Sequence, residues 1–228
     1  MSYLKDTLKG ISWMGALTVL TKSIAIGKIA ILARILSPSQ FGSYGIALLI
    51  LGFLEVLTET GINIFLIQER DDAKKYLNSA WVVSIIRGVL IGGLILLLSP
   101  LIITFFKTPG IINLLYLVAA VAIVRGFINP MVVFFQKKLE FMKVFMFQGG
   151  LYFLDASVAI SLGLLTHSES AMIISMVVAA VIEVILSFIL FADRPHFIFE
   201  KDKFLKVVNS GKWITGVFII SKCSIPHS

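Results

Sequence analysis

The sequence predicts an all-α integral membrane protein with six transmembrane helices and the start of a seventh. Of its 228 residues, 58% are hydrophobic and 14% are charged, whereas about a quarter of a soluble domain is charged. The mean hydropathy is +0.97. Six apolar segments each reach the length of about 20 residues that a helix needs to cross a bilayer core.

The predicted helices cover about 11–35, 41–67, 79–105, 111–135, 142–165 and 170–192. Three of the connections carry turn residues, which favour tight links between antiparallel helices: Ser37-Pro38-Ser39, Lys107-Thr108-Pro109-Gly110 and Thr166-His167-Ser168-Glu169. Asn129-Pro130 predicts a kink in the fourth helix. The pairs Gly92-Gly93 and Gly149-Gly150 predict close contacts between helices.

The chain divides into three parts. Residues 1–192 form the six-helix lobe, and 193–212 form a basic loop that we expect on the cytoplasmic side. Residues 213–228 begin a seventh helix, but only ten residues precede Cys223 from Trp213 onward. Ten helical residues rise about 15 Å, half of what a span needs. We therefore interpret the chain as truncated.

The lysines and arginines predict the orientation. Thirteen lie at the N-terminus or in the second, fourth and sixth connections, and two, Arg34 and Lys107, lie on the opposite side. Positive charges are retained in cytoplasmic loops. We expect a multi-pass protein of the bacterial cytoplasmic membrane with its N-terminus in the cytoplasm.

Several function classes find no support in the sequence. A lone cysteine gives no disulfide framework, and we find no nucleotide-binding glycine pattern and no metal-spaced Cys/His cluster. The basic residues are not interleaved with aromatics on a polar face, so nucleic acid is not an expected partner. We expect no cofactor and no enzymatic activity.

Apart from Arg34 and Lys143 at span ends, eight charged residues lie within the predicted spans, where the bilayer should reject them. Such groups usually face a bundle interior or a wet cavity and pair with one another. They predict a solvated cavity, with Lys22–Glu55 as the natural pair between neighbouring helices. The eight are Lys22, Lys28, Glu55, Glu59, Arg87, Arg125, Asp155 and Glu183.

Two considerations limit this reading. Lys22, Lys28 and Arg34 are six residues apart, so they point in three directions about 120° apart and do not all line one groove. Arg34, Arg87 and Glu59 lie within reach of a membrane surface, where such residues are more often interface anchors or structural ion pairs than cavity residues.

Two stretches of the sequence carry recognisable motifs. Residues 32–68 read LARILSPSQFGSYGIALLILGFLEVLTETGINIFLIQ, and a second run extends from Arg125 through Asn129-Pro130 to Lys138-Leu139-Glu140-Phe141. The first stretch resembles the first hairpin of the polysaccharide transporter, or oligosaccharide flippase, family, which reads L-A-R-x-L-x-P-x-x-F-G followed by an acidic residue before a glycine and L-I-Q. The second run resembles the end of that family's fourth helix and the following basic loop.

The resemblance implies one lobe of a two-lobe fold like that of the multidrug and toxic-compound extrusion transporters. It also implies that the chain moves oligosaccharide linked to undecaprenyl pyrophosphate across the membrane, for O-antigen, capsule or exopolysaccharide assembly. Membrane lipid and a glycan polymerase or ligase are then the expected partners. Lys22, Lys28, Arg87 and Arg125 would bind the anionic substrate, and Glu55, Glu59, Asp155 and Glu183 would balance charge or couple ions.

Two other hypotheses remain open. The chain could be an inactive remnant or a membrane scaffold of the polysaccharide pathway. It could also be a multidrug exporter of the same superfamily, although a basic cavity argues against the cationic substrates of such exporters.

Overall fold

The computed structural model describes residues 2–58, 61–69, 73–191 and 193–197, and these are mainly helical. Glu59 and residues 198–228, which include most of the expected basic loop and the expected seventh helix, lie outside the described residues. The α-helices are α1 (Ser2–Leu32), α2 (Pro38–Leu57), α3 (Ile62–Gln68), α4 (Leu77–Phe106), α5 (Ile112–Gly126), α6 (Val133–Lys137), α7 (Phe141–Thr166) and α8 (Ser170–Ile189).

Within the described residues, five helices are long and apolar enough to cross a membrane: α1, α2, α4, α7 and α8. A sixth span exists if α5 and residues 130–137, which are bent by 70° relative to each other, cross as one unit. Large apolar side chains such as Val19, Leu97 and Phe105 are exposed on the outside of the bundle, as expected where lipid replaces water as the solvent. The all-α membrane class is therefore confirmed, with five or six candidate spans.

The turn predicted at Ser37-Pro38-Ser39 starts α2 three residues earlier than expected. The Ser37 side chain accepts a hydrogen bond from the backbone N–H of Gln40, and the Gln40 side chain accepts one from the backbone N–H of Ser37. This reciprocal capping box satisfies donors that the helix leaves free. The Gln40 side chain also donates to the carbonyl oxygen of His167 at 3.0 Å, which ties this turn to the end of α7.

The prediction of one continuous helix over 41–67 is wrong. Helix α2 ends at Leu57, and α3 begins after Gly61, whose φ of 60° lies in the left-handed region. Thr58 bends its hydroxyl back onto the carbonyl oxygen of Leu54 at 2.6 Å. A side chain that bonds locally, followed by a glycine that accepts positive φ, ends the helix inside the apolar segment.

The predicted kink at Asn129-Pro130 is present as a complete break. Pro130 has no N–H to continue the helix, so α5 ends at Gly126 and Asn129 is extended. Asn129 is fully buried. Its N–H donates to the Ser187 hydroxyl at 3.0 Å and its side-chain oxygen accepts from the N–H of Met131 at 3.0 Å, which keeps the broken backbone hydrogen-bonded.

The helices pack in the spatial order α1, α7, α8, α5 and α4, and α2 lies against α5, α4 and α8. The two short helices that follow the breaks, α3 and α6, pack on each other. Lys137 at the end of α6 donates to the carbonyl oxygens of Leu66 and Glu69 at 2.9 and 2.7 Å. A cation thus caps the C-terminus of α3, where the helix dipole favours positive charge.

Glycines bring α4 and α5 into backbone contact. A Cβ at Gly88 would lie 2.7 Å from the Ala122 carbonyl oxygen and 3.0 Å from the Gly126 Cα, and one at Gly92 would meet Ile123. Small residues four apart are typical of close helix packing in membranes. The expected contact role of Gly92 is confirmed, whereas Gly93 and Gly150 face open space.

We predict that Gly88→Ala destabilises the bundle by about 1–3 kcal/mol, because the added methyl group meets backbone atoms that cannot move aside without separating the helices. The free energy of unfolding of purified protein in detergent measures this. Gly93→Ala is the matched control, since its Cβ would meet nothing within 4 Å, and it should leave stability unchanged. Equal stability of the two variants would contradict the close approach.

Candidate functional site

Two neighbouring cavities of about 310 and 500 Å³ lie beside the helix breaks. The first is lined by residues at both breaks, and the second reaches Ile128 at the break after α5. They share four lining residues, Arg125, Ile128, Gln148 and Glu183. Glu55 and Arg87 also line the first cavity, whereas Lys28 and Asp155 also line the second. The structure therefore brings six of the eight charged residues singled out from the sequence into one region.

Arg125 lies in the last turn of α5, just before the break, and faces both cavities. Its Nη1 is 3.4 Å from Oε1 of Glu55, and the two side chains are 41% and 37% exposed. The separation is long for a charge-assisted hydrogen bond, which is usually 2.7–2.9 Å. The pair is therefore loose and open to the cavity.

Arg87 holds the end of α2 in place. Its Nη2 donates to the backbone carbonyl oxygen of Glu55 at 2.8 Å, and its Nε donates to the Thr58 hydroxyl at 3.4 Å. A cation at a helix C-terminus satisfies carbonyl groups that have no partner within the helix. This contact agrees with the structural interpretation of Arg87 that the sequence left open.

Lys28 and Asp155 form a tight pair between α1 and α7. The Lys28 Nζ is 2.6 Å from Asp155 Oδ2, and the side chains are only 11% and 15% exposed. The other carboxylate oxygen, Oδ1, accepts a hydrogen bond from the buried Ser175 hydroxyl on α8 at 2.7 Å. Both oxygens of Asp155 are thus engaged, and three helices are joined.

Glu183 on α8 lines both cavities and is half-buried. In the part of the chain that the structure describes, its carboxylate makes no ion pair or hydrogen bond. Its charge is balanced only at longer range, since Arg125 lines the same two cavities. Of the six charges in this region, that of Glu183 is the least compensated.

Lys22 is not part of the region. It is exposed on α1 and lines neither cavity, so the expected Lys22–Glu55 pair is wrong: Glu55 meets Arg125 instead. Helix α2 packs on α5, which places Glu55 beside the end of α5. Arg34 is likewise exposed. Of the three spaced cations on the first segment, Lys28 lines one of the two cavities, whereas Lys22, which the sequence analysis also expected at the cavity, lines neither.

Sequence reasoning missed the uncharged polar residues of the site. Gln148 lines both cavities, Asn63 and Gln136 line the first, and Tyr44 and Tyr152 line the second. Burying an amide or a phenol in an apolar segment costs less free energy than burying a charge. These residues were therefore not singled out as candidates from the sequence. Gln148 directly precedes Gly149-Gly150 in the sequence, and that polar interruption of α7 was the available signal.

The cavity charges balance within the described residues. Lys28, Arg87 and Arg125 face Glu55, Asp155 and Glu183. The expectation of a basic cavity is therefore not met. Because the tight pair and the capping arginine engage most of these charges, Arg125 is the cation best placed to contact a ligand.

Comparison with known proteins places the chain among membrane proteins of polysaccharide synthesis. A family model described as "Polysaccharide biosynthesis protein" matches residues 31–224. The lipopolysaccharide biosynthesis protein WzxC of Escherichia coli (strain K12) is 26% identical over 148 residues, which are 65% of this chain and 30% of that protein. An uncharacterized membrane protein in the cps region of Klebsiella pneumoniae is 27% identical over 192 residues, 83% of this chain and 39% of that protein.

The matched part of the chain thus covers 30% and 39% of the length of these two curated relatives. No solved structure matches it significantly.

We predict that Asp155→Asn destabilises the protein by about 3–5 kcal/mol, because it leaves the Lys28 ammonium in a low-dielectric site without its counter-charge. The double variant Lys28→Met with Asp155→Asn should recover most of this loss. Unfolding in detergent measures both. The matched control is Glu140→Gln, which breaks the exposed pair with Lys143 and should cost less than about 1 kcal/mol. Equal losses in Asp155→Asn and the double variant would exclude the pair as a stabilising contact.

Proposed function

We propose that this chain, which belongs to the polysaccharide biosynthesis protein family, takes part in moving a lipid-linked oligosaccharide across the cytoplasmic membrane for surface polysaccharide assembly. The sequence resemblance to oligosaccharide flippases and the two relatives, one named for lipopolysaccharide synthesis and one from a cps region, support this. The substrate is then an oligosaccharide on undecaprenyl pyrophosphate. The chain supplies one lobe of a two-lobe fold, with its N-terminus in the cytoplasm, alongside a glycan polymerase or ligase.

The observation that carries the proposal is the position of Arg125. Its guanidinium faces two cavities that lie beside broken helices and is 41% exposed. Cavities next to discontinuous membrane helices are typical binding sites in transporters. A guanidinium fits the paired oxygens of a phosphate group. Arg125 is thus assigned to the anionic head of the substrate.

The other charges take different roles in this proposal. Lys28 and Asp155 neutralise each other and hold α1, α7 and α8 together, and Arg87 holds the end of α2. Glu55 and Glu183 balance Arg125 or carry the coupling ion. Lys22 would contact substrate only on the exposed face of α1. Glu59, which lies outside the described residues, is assigned to charge balance or ion coupling on the sequence alone.

The equal number of positive and negative charges at the cavities supports one alternative function, that of a multidrug exporter. The carboxylate of Glu183, which is balanced only at longer range by Arg125, suits a cationic ligand, as in a multidrug exporter. An anionic and a cationic substrate require opposite charges at the same site, so one assay with two readouts separates them.

We predict that Arg125→Gln lowers surface polysaccharide about tenfold or more, because the loss of a desolvated charge contact costs at least about 1.4 kcal/mol. The chain is expressed in a strain whose own flippase is deleted, and surface polysaccharide is scored. Two forms are tested: the chain alone, and the chain fused to the part of WzxC that lies outside the matched region. Arg125→Lys should retain part of the activity, since it keeps the charge but loses the planar fork.

Arg194→Gln is the matched control, because Arg194 is exposed and lines neither cavity. Normal polysaccharide in Arg125→Gln would refute the site assignment. If the unaltered chain restores no polysaccharide, either alone or joined to the WzxC part, the scaffold or remnant hypothesis is favoured. Resistance to a cationic dye without restored polysaccharide would favour the exporter.

A further inference from the structure

The two intramembrane ion pairs differ in how easily they open. In the Lys28–Asp155 pair the atoms are 2.6 Å apart, both side chains are nearly buried, and Ser175 holds the second carboxylate oxygen. Separating these charges would leave each one desolvated without a partner. The Lys28–Asp155 pair is therefore not available for exchange with a ligand.

The Arg125–Glu55 pair is weakly held and accessible to a ligand. One nitrogen and one oxygen are 3.4 Å apart, and more than a third of each side chain is exposed to the cavity. A guanidinium has five N–H donors, and within the described residues Arg125 uses this one long contact. Because Arg125 lines both cavities, its other donors are available to a ligand that binds there.

A phosphate group fits this guanidinium better than Glu55 does. Two phosphate oxygens match the arginine fork with two parallel hydrogen bonds, each shorter and stronger than a single 3.4 Å contact. A carboxylate that holds the arginine loosely keeps its charge compensated when no ligand is present. The same carboxylate must leave when an anion binds.

We propose that Glu55 is a removable counter-ion, which competes with an anionic ligand for Arg125 and is displaced when a phosphate group binds. This inference rests on the proposed function, since it concerns the same arginine. It assigns to Glu55 the control of ligand affinity: a weak ligand does not displace the carboxylate, and a doubly charged phosphate does.

The backbone around Glu55 permits this exchange without unfolding the helix end. The Glu55 carbonyl oxygen accepts a hydrogen bond from Arg87 at 2.8 Å, and the Thr58 N–H donates to the Leu54 carbonyl oxygen at 3.0 Å. These contacts fix the last turn of α2. Displacement therefore requires only rotation of the Glu55 side chain about its own torsions.

The test measures the affinity of the purified chain for farnesyl diphosphate, a short prenyl diphosphate, with inorganic pyrophosphate and farnesol as parallel probes. The diphosphate-bearing lipid distinguishes a lipid headgroup from a free phosphate, and farnesol reports binding by the tail alone. Four forms are compared: the unaltered chain, Glu55→Gln, Arg125→Gln and the double variant. Glu140→Gln, a carboxylate outside both cavities, is the control for loss of one negative charge, and unfolding curves verify that each form is folded.

We expect Glu55→Gln to tighten farnesyl diphosphate binding about three- to tenfold, as removal of a partly exposed competitor implies, and Glu140→Gln to leave it unchanged. Arg125→Gln should weaken binding about tenfold. In the Arg125→Gln background the Glu55→Gln gain should vanish, because the two residues act through one contact.

Unchanged or weaker binding by Glu55→Gln would overturn the competition, and so would an equal gain with and without Arg125, since that gain reports only a change in net charge. If binding is lost in Arg125→Gln while Glu55→Gln has no effect, the substrate site survives and the competition does not. If Arg125→Gln binds normally, or if no form binds, both the site and the competition fail. Binding of pyrophosphate as tight as that of farnesyl diphosphate would assign the site to free phosphate.

Discussion

The structure depends on one constraint: within a bilayer, every charge and every free backbone group must find its partner inside the protein. This chain has both kinds of group around the first cavity, because α2 and α5 each end inside an apolar segment. Arg87 satisfies the end of α2 through the Glu55 carbonyl oxygen. Ser187 and the Asn129 side chain satisfy the break after α5, and the Trp81 Nε1 donates to the Phe127 carbonyl oxygen at 3.1 Å.

These local solutions create the candidate site. When a helix stops short, its continuation leaves in another direction, and the space between is not filled by the regular packing of helix on helix. Helices α3 and α6 leave together and pack on each other, with Lys137 across the end of α3. The cavities beside the breaks are consequently lined by polar groups, and Arg125 sits where they adjoin. Asn129 and Pro130, which interrupt the second of these segments, also line the first cavity.

The two ion pairs illustrate how similar residues serve different purposes. Lys28–Asp155 is short, buried and supported by Ser175, and its effect is to join three helices. Arg125–Glu55 is long, exposed and supported only through the backbone of Glu55. Under the proposed function, the tight pair keeps the helices associated in lipid, and the loose pair leaves Arg125 available to a ligand. Composition does not distinguish the two pairs, whereas distance and burial do.

The sequence by itself determined the membrane class, the approximate ends of most apolar segments, a distortion at Asn129-Pro130 and the family, because hydropathy, proline chemistry and the motif around Arg34 to Gly42 are local properties. That this distortion is a complete break and not a kink was decided by the structure. It also determined which charged residues were candidates. Only the tertiary structure decided that Lys28 lines a cavity and Lys22 does not, that Arg87 caps a helix, and that Glu55 meets Arg125. These outcomes depend on which helices become neighbours: α1 packs on α7, and α2 packs on α5. Helix pairing is a long-range choice that a periodic apolar pattern does not encode, since every face of such a helix is compatible with lipid.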